Sequence, residues 1–205
     1  MNTEKYLDII SKWRKTWCTK SKHLSIRGCA TEKETINLAI DKAHQPSVQR
    51  ALNLEKGQST KAPRQEVKKY LSEEIIGILH KEDFTFEDYN NWAEKVCEKI
   101  RKSYRDHGIT DYTYGNAQKL LSMTIKYILS ADNIDCTLHI FEIAYIPIDG
   151  VIMKIAKKKL NVKPMPNAWS KTDNFADIST YEDRLRNAML EGYCPLMWEC
   201  ENWKA

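Results

Sequence analysis

The sequence predicts an all-α protein, and three observations carry that. Apolar residues recur at three- and four-residue spacings through most of the chain. Capping signatures precede several of those runs, Thr31 with Glu34 and Thr85 with Asp88 among them. Seven glycines and six prolines are few for 205 residues, which disfavours a turn-rich β fold. The length suits one well-cored domain over 1–205 or two small lobes. An apolar share of 42% and a charged share of 29% fit a soluble globular chain.

The first element is an amphipathic helix within 1–27. Tyr6, Ile9, Ile10, Trp13 and Trp17 share one face, which reads as a core-docking stripe. Lys12, Arg14, Lys15, Lys20 and Lys22 flank it, so an aromatic and basic edge for stacked bases and phosphates is the other reading. A second helix fits 28–41, with Thr31 capping. Residues 44–66 collect Gln, Ser, Lys, Gly57, Pro46 and Pro63 and read as an inter-lobe loop. Arg50, Lys56, Lys61 and Arg64 leave a DNA-side loop open as the alternative.

Helical spacing resumes over 64–80 through Val67, Tyr70, Leu71, Ile75, Ile78 and Leu79. The helix after Thr85 should bury Tyr89, Trp92, Val96, Ile100 and Tyr104, and Gly108 stops it. A hairpin at 110–116 follows. Gly115 suits the sharp entry to the next helix and Asn116 a cap. That helix turns Ala117, Leu120, Leu121, Thr124, Ile125 and Ile128 inward and puts Lys119, Ser122, Met123 and Lys126 on another face. Lys119 and Lys126 are two turns apart there.

Residues 132–145 break the pattern, and an extended segment and a turn of helix both fit Leu138–Tyr145. Ile146-Pro147-Ile148-Asp149 then opens another helix, with Asp149 favoured by the helix dipole. Lys157, Lys158 and Lys159 form a basic run, read as a solvated helix end or as a phosphate contact. A two-proline loop with Trp169 spans 161–175. A helix over 179–191 and a short one at 195–203 complete the chain.

On residue types alone, a lysine on a helix face is usually solvated and an aspartate after a proline is usually a cap. The order of motifs points further. Tyr114-Gly115-Asn116 leading into a helix with Lys119, then Ile146-Pro147-Ile148-Asp149-Gly150-Val151 opening a later helix, resembles the catalytic segment of the helix-hairpin-helix DNA glycosylases. The 30-residue separation of Lys119 and Asp149, and a second lysine at Lys126, are similar to the archaeal 8-oxoguanine glycosylase branch. Glu199 and Trp203 resemble that branch's acidic and tryptophan pair on a late helix. The family's Gly-x-Gly hairpin is replaced here by Tyr114-Gly115-Asn116, and no cysteine cluster follows.

The resemblance implies a helix-hairpin-helix glycosylase-like bundle with its catalytic segment within 110–160. It implies excision of an oxidised purine from double-stranded DNA, with abasic-site lyase activity. Lys119 would be the Schiff-base nucleophile and Asp149 the carboxylate that supports the sugar cation. Lys126, Gly115, Asn116, Glu199 and Trp203 would bind substrate. Two other classes remain: a non-catalytic helical nucleic-acid-binding protein, and a phage or defence-associated interaction protein.

Six scattered cysteines with no Cys-x-x-Cys pair give no metal or cluster site, and no cofactor is expected. A net charge of +4 is compatible with DNA without demanding it. No secretory signal or membrane span stands out, so a cytoplasmic monomer with reduced thiols is expected.

Overall fold

The computed structural model describes residues 3–20, 26–48, 52, 54 and 57–202, without the side chains of Thr3 and 17–20. Among them are nine α-helices, one 3-10 turn and no strand. The α-helices are α1 (Thr3–Lys20), α2 (Glu32–Val48), α3 (Lys61–Ile78), α4 (Phe86–Asp106), α5 (Tyr114–Leu129), α6 (Ile140–Ile143), α7 (Gly150–Leu160), α8 (Phe175–Ala188) and α9 (Pro195–Asn202). The 3-10 turn, Trp169–Lys171, lies between α7 and α8. None of the described helices is long and apolar enough to cross a membrane.

The architecture is built around α5. Every residue from Gly115 to Leu129 is buried. Helices α2, α4 and α8 and the 3-10 turn all pack on it, while α3 bridges α2 and α4. This corrects the amphipathic reading, because Lys119, Ser122, Met123 and Lys126 do not face solvent. A helix buried on every side must satisfy its polar groups internally. Thr124 Oγ1 donates to the Leu120 carbonyl. Gln118 Nε2 reaches Ser122 Oγ. The two lysines find carboxylates.

The start of α5 differs in detail from expectation. Thr113, not Asn116, is the N-cap: its hydroxyl accepts the Asn116 amide, and the Asn116 side chain accepts the Thr113 amide. Asn116 occupies the third position of that capping box, which a reading focused on the glycine overlooks. The far end of α5 is closed by Arg14 of α1, which donates to the Leu129 carbonyl at 2.6 and 2.8 Å. A cation there complements the helix dipole.

Helix α2 runs on through Pro46, into what reads as the inter-lobe loop. Pro46 falls in the last turn, and the buried Ala43, His44 and Ser47 hold that turn in place, with the Ser47 carbonyl accepting Asn116 Nδ2. Helix α4 buries Tyr89, Val96, Ile100 and Tyr104 as expected, and Gly108 terminates it at φ +81°. Trp92 stays half-buried, because its indole N–H reaches Glu74 at 2.9 Å. On α1, Tyr6, Ile9, Ile10 and Trp13 are core residues. The Trp17 side chain, Lys20, Lys22, Arg50 and Lys56 offer no test, since their side chains lie outside the described residues.

Of the two readings of Leu138–Tyr145, the turn of helix is the one found, at Ile140–Ile143; the chain leaves it at Ala144 and runs without regular secondary structure to Asp149. Helix α8 begins earlier than the spacing suggests, because Asn174 caps it through the Ala176 amide.

Candidate active site

Lys119 and Asp149 are brought together from two helices. Lys119 Nζ lies 3.2 Å from Asp149 Oδ2, with the lysine side chain 10% and the aspartate side chain 22% exposed. The aspartate divides its carboxylate between two tasks. Oδ1 accepts the amides of Val151 and Ile152 at 2.9 and 3.0 Å and so caps α7, while Oδ2 faces the lysine. Pro147 two residues earlier disfavours helix in the residue before it, and Asp149 itself is extended, so the cap aims the side chain before any substrate arrives.

That approach is clamped by side chains the sequence did not single out. Gln118, beside Lys119 on α5, donates to the Ile146 carbonyl at 2.6 Å. Glu182 of α8, fully buried, accepts the Ile146 amide at 3.1 Å. Arg186, one turn along α8, donates to the carbonyls of Ile143 and Ala144. Burial pushes the Glu182 carboxyl up to about 8, although Arg186 and the Ile146 amide pull the other way. The i, i+4 spacing of Glu182 and Arg186 was the available signal, but it looks like any helix-surface pair.

A second pair lies deeper. Lys126 Nζ is 2.6 Å from Glu199 Oε1, and both side chains are 2% exposed. Glu199 Oε2 is buried and accepts no hydrogen bond. Burial raises the Glu199 carboxyl, against the pull of Lys126. Asp149 raises it further and Lys119 lowers it, so the two pairs feel each other's charge. Trp13 of α1 lies 5.9 Å from the Lys126 ammonium. Lys119 has its own aromatic neighbour, the Trp169 ring, with its centroid 4.3 Å from Nζ.

Gly115 and Asn116 are placed at the site's edge, with both amides bonded within the chain. The Gly115 amide donates to the Thr172 carbonyl at 3.0 Å, and the Asn116 amide to Thr113. The glycine is needed for a close approach: a Cβ there would lie 1.7 Å from the Trp169 carbonyl oxygen. Trp203 lies outside the described residues. Among the described residues no group of three or more His, Cys, Asp or Glu is placed to hold a metal.

The geometry offers one amine and one carboxylate in contact at a partly covered surface, with a buried ion pair and two indoles behind and beside them. Such a set can present a nucleophile, support a neighbouring cation and hold a planar polar ligand. No family model, curated protein or solved structure matches this chain.

Proposed function

We infer that the chain is a base-excision DNA glycosylase with abasic-site lyase activity, acting on an oxidised purine in double-stranded DNA. The observation that carries this reading is the 3.2 Å contact between Lys119 and Asp149. They are 30 residues apart in sequence and carry the two chemical groups that the reaction needs. The helix-hairpin-helix glycosylase arrangement, with its archaeal-type spacing of lysines, is the fold that goes with it.

The chemistry follows from those groups. An amine attacks only when neutral, and Asp149 Oδ2 is within reach of the Lys119 proton. The Nζ lone pair forms a bond to C1′ as the C1′–N bond to the base breaks. The base leaves with that electron pair and takes up a proton. The sugar passes through an oxocarbenium-like state, whose charge the Asp149 carboxylate opposes. Opening the C1′–O4′ bond then gives a protonated Schiff base. Loss of a C2′ proton expels the 3′ phosphate and nicks the strand.

The target base must leave the stack to reach Lys119. The Lys126–Glu199 pair supports a purine ligand. An ammonium suits a purine oxo group, and Glu199 Oε2, which accepts nothing in this structure, suits a ring N–H. Exposed Lys154, Lys157 and Lys158 run along α7 away from Asp149 and suit phosphates.

The test is borohydride trapping on 8-oxoguanine and abasic-site duplexes with wild type, Lys119→Gln and Asp149→Asn. A wild-type adduct that disappears in Lys119→Gln supports the reading. An adduct that survives that substitution removes Lys119 as nucleophile. Salt-dependent DNA binding without any adduct would favour the non-catalytic nucleic-acid-binding class.

A further inference from the structure

The Trp169 ring stands where the reacting atoms of this proposed site would be. Its centroid is 4.3 Å from Lys119 Nζ. A carbon bonded to that nitrogen lies only about 1.5 Å from it. A group that joins covalently to Lys119 on the side of the ring is therefore in contact with the indole.

The loop argues for contact. Gly115 N–H donates to the Thr172 carbonyl at 3.0 Å, and Thr113 Oγ1 donates to the Ser170 carbonyl at 3.3 Å. Asp173 is held by Arg101 at 2.8 Å and by Arg105 at 2.8 Å, both from α4. The bare Cα of Gly115 lets the Trp169 carbonyl approach more closely than any side chain would allow. These ties join the tryptophan's backbone to the start of the helix that carries Lys119. The tryptophan's backbone and the helix that carries the amine thus belong to one frame.

An indole face attracts a cation through its quadrupole, and no hydrogen bond is needed. In the free protein the cation is the Lys119 ammonium. In the inferred reaction the positive charge passes to C1′ and O4′ of the sugar, then to the iminium joining C1′ and Nζ. Each of these centres lies within a bond or two of the nitrogen that the ring now faces.

We propose that Trp169 is a catalytic residue whose indole face touches the sugar and stabilises its positive charge as the Nζ–C1′ bond forms and the C1′–base bond breaks. The electron pair leaves with the base, and Asp149 opposes the same charge with its carboxylate. This assignment rests on the glycosylase reading and extends it to a residue that the sequence placed only in a loop.

The experiment places mono-, di- and tetrafluorinated tryptophan at position 169 of the full chain. Fluorine drains the ring face and barely alters its shape. Single-turnover trapping on an 8-oxoguanine duplex is read beside the dissociation constant for the same duplex. The trapping rate should fall stepwise, by about tenfold for the tetrafluoro ring, while binding changes less than about twofold. Trp169→Phe should fall between wild type and Trp169→Leu. A flat fluorine series with an active wild type would overturn the role of Trp169 alone. Rates and binding falling together would also overturn it, since the ring would then be only a docking surface. A wild type that forms no adduct would overturn the glycosylase reading, and this inference with it.

Discussion

Gln118 and Glu182 grip the same residue from two helices: one takes the Ile146 carbonyl at 2.6 Å, the other its amide at 3.1 Å. Three residues later the chain delivers Asp149 to Lys119. The segment has no neighbouring strand among the described residues, so buried side chains supply the bonds that a sheet would give. The position of the carboxylate therefore depends on groups that never touch it.

Glu182 makes this clamp sensitive to pH. Its carboxyl is raised from 4.5 to about 8 by burial. Below 4.5 the folded and unfolded chains both hold the proton. Between 4.5 and 8 the unfolded chain releases it first, so stability falls as pH rises, by up to about 1.4 kcal/mol per unit. Above 8 the loss is complete. Glu182→Gln should remove this slope, whatever constant cost the change carries. Urea melts of both proteins from pH 4 to 9 check it, and parallel curves would refute it.

Asp149 should show two separable losses. Asp149→Asn keeps an acceptor for the Val151 and Ile152 amides, and Asp149→Ala removes it. The alanine variant should lose about 1 kcal/mol more than the asparagine variant in chemical denaturation. Both should trap 8-oxoguanine DNA at least about 100-fold more slowly than wild type, as expected when a charge that supports the transition state is lost. Equal stability of the two variants would mean that the cap contributes nothing.

Gly115→Ala tests the seat of the Trp169 loop. The added methyl cannot coexist with the Trp169 carbonyl at 1.7 Å, so the loop must shift. We expect a loss of about 2 kcal/mol or more and a changed tryptophan emission on an otherwise helical protein. Near-native stability with unchanged emission would show that the loop does not need this contact.

Lys126 and Glu199 should behave as a unit. Removing one partner leaves the other charge buried, and Lys126→Met or Glu199→Leu alone should cost about 3–5 kcal/mol. The double variant should recover most of that loss, which a double-mutant cycle of denaturation midpoints measures. Additive losses would argue against a mutual pair.

The helices were legible because capping and spacing are local. Thr85 caps α4 and Gly108 ends it, and four or five residues suffice to see either. Lys119 and Asp149 were legible as a pair only through the order of motifs, for nothing near either residue announces the other. Burial of α5 on all faces was harder to see. Its polar residues look solvent-facing until Gln118 meets Ile146 and Lys126 meets Glu199, contacts spanning 28 and 73 residues. Gly115 was read for the turn into α5 and for substrate, whereas it is a loop 54 residues further on that comes close to it. Sequence shows that a glycine is required there but not what comes close. Trp169 carried no periodicity at all, because its place is set by that glycine and by Asp173.

The full burial of α5 has a mechanical consequence. Its amides should exchange with solvent only when the whole domain opens, while the α7–α8 loop and the exposed helix ends exchange by smaller openings. Lys119 can then rotate about its side-chain bonds, but its backbone cannot travel to meet a ligand. A large, stiff partner would have to bend toward the amine, with whatever yielding the protein contributes coming from its rim. The hub would act as an anvil, and the work of deformation would fall on the ligand.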